Sequence, residues 1–531
     1  MIITQKNNYA SFSTTLIKSF PSSIEMDPIL KLALQTLEQN KQAIIFVPSR
    51  ASAEKTAEDI AKLTIFQLPE MEQEILKAAS TPTKQCRKLS HTIKKGVAFH
   101  HAGLLQKQKE LIEDEFRNGK IKIICCTPTL AAGLSLPVFR VIIKSLKRFS
   151  GSWGMDWIPV LEYLQMAGRA GRPEYEKYGE AVCIAKDEAE KEEIHDRYIL
   201  GKPEAIYSKL AVEPVLRTYL LSLISSGIIR DRTSMKEFFT KTFWAHQFKD
   251  MQKLEGIMEK MLHLLEEWGF ITMVGSANAG FVSANEINQE KLRPTPIGKR
   301  VSELYLDPLT ARHILDCLAV FDPSKNSFSI LQMISHTLEM RPLLRVKSKE
   351  QETIQEELTK RYDSLLKEEP SAYDIEYEDF FCSVKTALFF DSWIDEKDED
   401  FLLEKFDIRP GEIRIKQEIA DWLLYASEEL ALLQEHKIAV KQIRKLRLQI
   451  EYGVKEELLP LLKLQGIGRI RARKLHSHGL QDLGDLKKVD LTTLSQLLGK
   501  IVAESVKKQV GEEVKEVPEG KRKGQTSILK Y

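Results

Sequence analysis

The feature that most restricts the fold is a series of short, predominantly apolar stretches set between helix-length segments early in the chain. Ala43-Ile44-Ile45-Phe46-Val47 is stopped by Pro48; Gly96-Val97-Ala98-Phe99, residues 121–126, Val141-Ile142-Ile143 and Ala181-Val182-Cys183-Ile184 follow. Residues 52–63 and 106–117, which lie between them, carry helical spacing. Strands apolar at every position are covered on both faces, and with helices interposed they imply a buried parallel sheet. Residues 1–40 are weakly patterned, with a lead-in helix expected over 27–38. Ligands of such sheets bind at the carboxyl ends of the strands, so the segments there are where chemistry is expected.

One of them reads L-E-Y-L-Q-M-A-G-R-A-G-R-P over residues 161–173. Arg169 and Arg172 are three apart with only small residues between them, which on a helix puts both guanidinium groups on one face and lets another surface approach closely. Arginine stays charged and presents a planar fork of donors, so the pair suits phosphate oxygens whose charge grows as a bond breaks. That is the arrangement of an arginine finger, led here by Gln165; the competing reading is a surface helix with two salt-bridging arginines. The motif resembles the sixth signature of superfamily-two helicases. More closely, it resembles the archaeal DNA-repair helicases related to the helicase domain of polymerase theta, a likeness that runs from about residue 44 to about residue 486.

Three further landmarks carry the resemblance. Phe46-Val47-Pro48-Ser49-Arg50 is similar to the segment after the first strand of the second motor domain, and Phe99-His100-His101-Ala102-Gly103-Leu104 to the next landmark. The adjacent histidines lack an evident third metal ligand, so packing or a phosphate contact is expected of them. Thr127-Pro128-Thr129-Leu130-Ala131-Ala132-Gly133-Leu134-Ser135-Leu136-Pro137 is similar to the fifth signature. The resemblance implies nucleotide contacts at Gly133, Gln165, Arg169 and Arg172, and DNA-phosphate contacts at Thr127, Thr129 and Ser135, the last standing where the family usually has Asn. Between the fifth and sixth signatures, residues 144–158 place Gly151 and Gly154 among aromatic residues, a pattern that suits a protruding hairpin. In the family a hairpin here is the wedge at the duplex junction, with Trp153 as the candidate stacking side chain; the alternative is an ordinary surface loop.

ATP hydrolysis by this machinery needs a G-x-x-x-x-G-K-[ST] loop and an acidic pair for magnesium. The sequence contains no such glycine loop. Asp187-Glu188-Ala189-Glu190 imitates an acidic box, but it follows the sixth signature instead of preceding the fourth, and it reads as a solvated helix start. The expectation is therefore that the N-terminal motor domain of the family is missing and that the chain is inert alone. ATP and Mg2+ would be used only with a partner chain supplying the P-loop and acidic box.

The expected fold class is α/β plus all-α: a second RecA-like parallel-sheet domain (1–198), a winged helix (199–300), a helical ratchet domain (301–454), a helix-hairpin-helix domain (455–511) and a flexible tail (512–531). The second of these rests on helical patterns over 212–225, 235–243 and 251–268 followed by a strand and a Gly-rich turn, and a structural hinge is favoured over duplex recognition. In the third, helices are expected over 301–320, 327–339, 350–367, 380–393 and 412–433. The last carries Arg414, Lys416 and Trp422; Arg414 and Trp422 are two turns apart and share a face. In the family this helix lines the strand channel, with an aromatic on a base and a basic residue on the backbone; the family arginine aligns with Ile415, so Arg414 or Lys416 is the candidate substitute. The bland alternative is that Trp422 is core. Gly466 and Gly468 open a helix-hairpin-helix whose exposed amides bind phosphate without reading bases, with Arg469, Arg471 and Arg473 adding charge; a purely structural hairpin is the alternative. In the tail, Gln525, Ile528 and Tyr531 resemble a sliding-clamp-binding peptide without its second aromatic, against plain disorder.

Composition adds little. A net charge of +2 does not by itself argue for nucleic acid, so DNA contacts must come from local patches. Six cysteines without a C-x-x-C pair are expected to be reduced thiols with no metal, and no apolar run is long enough for a bilayer, so the expected location is cytoplasmic. The leading expectation is the C-terminal part of an ATP-dependent 3′-to-5′ DNA helicase acting on single-stranded or forked DNA with a separate N-terminal motor chain. The rival is a non-catalytic DNA-binding remnant that grips strands or forks.

Overall fold

A computed structural model describes residues 2–8, 11–17, 26–79, 82–133, 136–149, 154–171, 178–248, 250–274 and 291–511. Ser135, Trp153, Arg172, the Gly-rich turn after residue 274 and the tail with Gln525, Ile528 and Tyr531 lie outside them. The chain divides into two compact units, Met1–Tyr207 with Glu399–Ile415, and Ser208–Asp398 with Lys416–Tyr531.

In the first unit the elements run β1 (Ile2–Asn8), β2 (Ser11–Ile17), α1 (Pro28–Glu38), β3 (Ala43–Phe46), α2 (Arg50–Ala61), α3 (Pro69–Lys77), α4 (Lys84–Ile93), β4 (Val97–His100), α5 (Gln106–Arg117), β5 (Ile123–Cys126), α6 (Thr129–Gly133), β6 (Arg140–Ile143), β7 (Lys147–Phe149), β8 (Met155–Trp157), α7 (Val160–Ala167), β9 (Gly179–Ile184) and α8 (Glu188–Ile194). Seven described strands form one sheet in the order β2-β1-β9-β6-β3-β5-β4. The run from β9 to β4 is parallel, with Ile44 opposite both Val141 and Ile124. Every residue of β3, β4, β5 and β6 is buried, as strands inside a covered parallel sheet must be, and the two charged or polar ones, His100 and Arg140, are paired with Glu113 and Glu180. The helices start where the sequence supplies caps: Asp27 accepts from the Ile29 amide and Ser49 from the Ser52 amide.

The structure adds to the expected plan at three places. The weakly patterned N-terminus supplies β1 and β2, an antiparallel pair joined to the sheet edge through β1 and β9. Helices α3 and α4 occupy residues 69–77 and 84–93. Asp187 caps α8 by accepting from the Glu190 amide, so the acidic imitation is a helix start. The expected hairpin is present as β7 paired with β8, Lys147 opposite Trp157, with its tip outside the described residues.

The second unit contains α9 (Glu213–Ser225), α10 (Arg232–Thr240), α11 (Phe243–Phe248), α12 (Met251–Glu267), β10 (Ile271–Val274) and β11 (Lys291–Pro294), the two strands pairing antiparallel. Then come α13 (Pro296–Glu303), α14 (Pro308–Ala319), α15 (Ser327–Ser335), α16 (Gln351–Lys360) and α17 (Tyr377–Ile394). The helix expected over 301–320 is broken in two. Pro308 cannot continue the α13 ladder and instead starts α14, where Asp307 caps the Leu309 amide. Next are α18 (Glu399–Phe406), α19 (Pro410–Leu433) and α20 (Lys437–Tyr452). α18 and the first six residues of α19 are counted with the first unit. The chain ends in α21 (Arg469–Ser477), α22 (Leu483–Lys488), α23 (Leu491–Leu498) and α24 (Lys500–Gly511), which share an apolar cluster from Val454 to Val510.

Candidate functional site

The arginine motif is built on α7 and its exit. Val160, Tyr163, Met166 and Ala167 form the buried face of that helix, and its first two amides are bound by the Glu204 carboxylate at 2.6 and 3.2 Å. Those backbone donors, Val160 first, hold the Glu204 carboxyl below the usual range. Gln165 is exposed.

Contrary to the expectation that both arginines share a helical face, the helix stops at Ala167 and Arg169 lies past its end. Gly168 caps it, and Gly171 takes φ 106°, a conformation that favours glycine. The exit is fixed by a parallel bridge in which the Val138 amide donates to the Arg169 carbonyl at 2.9 Å and the Gly171 amide to the Val138 carbonyl at 2.6 Å. Fixed in this way, the Arg169 guanidinium donates through Nη2 to the Ala131 carbonyl of α6, while its buried Nε has no partner. Two sequence-distant signatures therefore meet: the sixth, through Arg169, and the fifth, through α6 with Gly133. The Thr127 and Thr129 hydroxyls at the start of the same segment are 3.0 Å apart. A buried guanidinium nitrogen without a partner is uncommon in folded proteins and points to a group that completes it.

A second constellation was not anticipated. Glu54 of α2, 8% exposed, faces His101 Nε2 at 3.4 Å, accepts from Arg409 Nε at 3.2 Å and from Gln85 Nε2 at 3.2 Å, and has Lys88 Nζ at 3.6 Å. Burial works against the Glu54 charge, yet the nearby His101 ring and the Arg409 charge hold its carboxyl down to about 2. His101 is buried, stacks on Phe99 and accepts the Gly103 amide at Nδ1, so its proton sits on Nε2. Burial lowers its pKa, opposed by Glu54. Its neutral form is therefore favoured within this packed cluster. His100 pairs with Glu113 at 2.9 Å. Around this cluster Gly411 donates to the Gly103 carbonyl at 3.1 Å, and a Cβ at Gly411 would stand 2.4 Å from the Ala102 and Leu104 carbonyl oxygens. Only glycine fits there.

Further strand-holding candidates lie on α19 and after it. Trp422 is half-buried, and its Nε1 donates to the Leu304 carbonyl at 3.0 Å. Arg414 is exposed. Lys416 does not lie beside it on a solvent face: it is 7% exposed, and its ammonium donates to the Met340 and Pro342 carbonyls. Two residues along a helix turn a side chain about 200° away, which is why Arg414 and Lys416 part company. Lys385 does similar work nearby, donating to the Arg345 carbonyl at 2.8 Å and pairing with Glu350 at 2.7 Å.

At the start of α21, Gly466 takes φ 83° and Gly468 is the N-cap, with open space where either Cβ would stand. Of the charges expected to add to this turn, Arg471 is exposed and donates to the Gly466 carbonyl at 2.7 Å. Arg473 is engaged by Glu396 and by Glu457, and Arg469 donates to the Lys397 carbonyl at 2.7 Å and lies 5.0 Å over the Trp393 ring. Their guanidinium groups fasten this segment to the end of α17. Removing the acid that ties Arg473 to the end of α17 tests that fastening: Glu396→Ala, which leaves Arg473 only Glu457 of its own segment, is expected to raise protease sensitivity around residues 455–468 while leaving the far-ultraviolet spectrum nearly unchanged, and unchanged proteolysis would refute it.

All six cysteines are buried and unpaired, and burial pushes the Cys183 thiol up to about 12. Among the described residues no group of His, Cys, Asp and Glu is arranged to hold a metal ion, and no helix is long and apolar enough to cross a membrane.

A parallel sheet with these motifs at its carboxyl edge defines the class. Residues 25–174 match the helicase conserved C-terminal domain, and residues 328–453 match domain 4 of archaeal helicases. The proteins named ATP-dependent DNA helicase Hel308 narrow it further. That of Methanocella arvoryzae is 37% identical over 507 residues, covering 93% of this chain and 66% of the relative. Those of Pyrococcus abyssi and Pyrococcus horikoshii are 36% and 35% identical over 505 residues, each covering 93% of this chain and 67% of the relative. The chain belongs to the Hel308 family of archaeal helicases and spans about two thirds of the length of these relatives.

Proposed function

We propose that this chain is the C-terminal part of an ATP-dependent 3′-to-5′ DNA helicase acting in replication-fork repair. It holds single-stranded or forked DNA and completes an ATPase site with a separate N-terminal motor chain that contributes the P-loop, the acidic box and, through them, Mg2+. The observation that carries this reading is the Arg169 guanidinium, fixed to α6 at the carboxyl edge of the sheet with its buried Nε unpartnered. A γ-phosphate oxygen supplies the acceptor that nitrogen lacks, and charge developing there in the transition state strengthens the contact. Arg172 and Gln165 act beside it, and Gly133 adjoins the nucleotide.

On the DNA side, Thr127, Thr129 and Ser135 contact phosphate, and the β7–β8 hairpin with Trp153 parts the duplex. Residues 199–300 form a winged helix acting as a hinge. Along α19, Arg414 takes the backbone and Trp422 stacks on a base, while Lys416 steadies the 340–342 segment beneath. The helix-hairpin-helix of residues 455–511 grips the exiting strand through the amides after Gly466 and Gly468 and through Arg471. The tail engages a sliding clamp through Gln525, Ile528 and Tyr531.

The purified chain is expected to bind a labelled single strand with strong salt dependence and to show no ATPase. Trp422→Ala should weaken that binding about tenfold, within the range of roughly 1–3 kcal/mol for base–aromatic stacking. Unaided ATP turnover would defeat the composite site. DNA binding without any ATPase on adding a P-loop motor chain would instead favour the non-catalytic, strand-gripping protein.

A further inference from the structure

The carbonyl that holds the Trp422 indole belongs to Leu304, the residue just before a turn that backbone chemistry reserves for glycine. α13 ends in a Schellman arrangement: the Leu306 amide donates to the Val301 carbonyl at 3.3 Å and the Tyr305 amide to the Ser302 carbonyl at 3.1 Å, with Val301 and Leu306 both buried. The left-handed position of that motif is usually glycine, sometimes asparagine. Here it is Tyr305, at φ 58°. Among the described residues the other non-glycine positions with positive φ are Asn40, Glu396, Asp407 and Glu435, so Tyr305 is the one aromatic. A bulky residue in this conformation is strained, and such strain persists where the surroundings enforce it and the side chain has a use.

Packing is not that use, because Tyr305 is 84% exposed. The turn is nevertheless firmly seated. On one side Arg300 pairs with Glu429 at 2.8 Å and donates to the Tyr425 hydroxyl at 3.2 Å, tying α13 to α19. On the other, Asp307 pairs with Arg217 at 2.7 Å and donates its amide to Glu339 at 2.9 Å. A rigid turn therefore presents an exposed ring one residue from the carbonyl that fixes Trp422.

We propose that Tyr305 is a second stacking platform, taking an unpaired nucleobase of the same single strand that passes Trp422. This deepens the strand-holding role proposed above and rests on it. Trp422 and Tyr305 together give the strand two aromatic surfaces, one half-sunk and one fully presented, as sequence-tolerant single-strand binding requires.

The test uses the full chain and a fluorescein-labelled oligothymidine, read by anisotropy. Tyr305→Gly should raise the dissociation constant about fivefold to tenfold. The dependence of binding on salt should not change, since no phosphate contact is lost. The thermal midpoint should hold or rise, because glycine suits the left-handed position. Tyr305→Trp should keep the parental affinity. Parental binding by Tyr305→Gly, in a chain where Trp422→Ala is impaired, overturns the inference and leaves the strand path intact; so does a lowered thermal midpoint, which would mean a packing role. Failure of the parental chain to bind the oligonucleotide removes the strand-holding reading itself.

Discussion

Arg169→Ala, mixed with a P-loop motor chain, should lose on the order of 10³ or more of the ATPase rate while single-strand affinity is retained, as removal of an arginine finger does generally. The size follows from where the side chain stands. Its guanidinium is half-buried, already fixed by one bond to the Ala131 carbonyl, and left with a buried unpartnered Nε. Little reorganisation is needed when phosphate charge develops, and that is the condition under which electrostatic stabilisation is largest. Arg169→Lys should rescue little, because an ammonium cannot bind Ala131 and an oxygen at once with fork geometry. Arg172→Ala should behave similarly. A merely structural Arg169 would predict a different pattern: ATPase falling only in proportion to lost folded protein, with thermal melting moving in parallel. Steady-state ATPase and melting measured on the same samples separate the two, and full activity in a stably folded Arg169→Ala mixture would end the finger assignment.

Much of the sheet unit was legible because its signals are local. Wholly apolar runs such as Ile44–Phe46 have few ways to be buried, and Asp27, the expected start of the lead-in helix, caps it through the Ile29 amide two positions on; the next helix starts at Arg50 after the Ser49 cap, two residues before the expected 52. The residues the sequence misplaced depend on longer relations. β1 and β2 are polar edge strands whose place is set by pairing with β9, more than a hundred residues away. Arg169 and Arg172 keep helical spacing, but glycines at 168 and 171 end the helix before it can use that spacing. Lys416 carries a charge that composition assigns to solvent; only the Met340 and Pro342 carbonyls, 76 and 74 residues distant, reveal that it is enclosed. Tyr305 is invisible for a related reason: nothing in V-S-E-L-Y-L-D-P announces a left-handed tyrosine, although Pro308 does announce a break. The exposed residues proposed to meet phosphate and bases carry little periodic signal of their own, so only motif resemblance points to them, and geometry then sorts which charges are enclosed.

The Glu54 cluster is the extreme of that kind, joining α2 to a residue 355 positions away, and a change there is expected to have a large effect on stability. Glu54→Gln removes the charge that Arg409 and His101 face, leaving a largely buried guanidinium with only the exposed Asp407 carboxylate, 3.9 Å away, as counter-ion; breaking such a pair costs roughly 3 kcal/mol. For a unit of this size that should lower its thermal transition by roughly 6–12 °C. The dependence on pH discriminates this from simple mispacking. The folded-state carboxyl is held at about 2 against an ordinary 4.5, so its contribution is fully present above 4.5 and is lost as pH falls toward 2. With partial solvent screening the amount at stake is on the order of 2 kcal/mol. His101, whose pKa burial lowers, acts in the same direction: its neutral form is favoured by folding, so protonation below its ordinary value of 6.5 destabilises. Parent and Glu54→Gln should therefore differ most near neutrality and converge as pH falls below 4.5, because a protonated glutamic acid and a glutamine present Arg409 with the same neutral partner. Urea unfolding at a series of pH values, followed by a probe placed in the sheet unit, reads the gap directly. A gap that stays constant down to pH 3 would mean that Glu54 contributes through shape alone, and that the Arg409 segment is held to the sheet by the Gly411–Gly103 contact without help from charge.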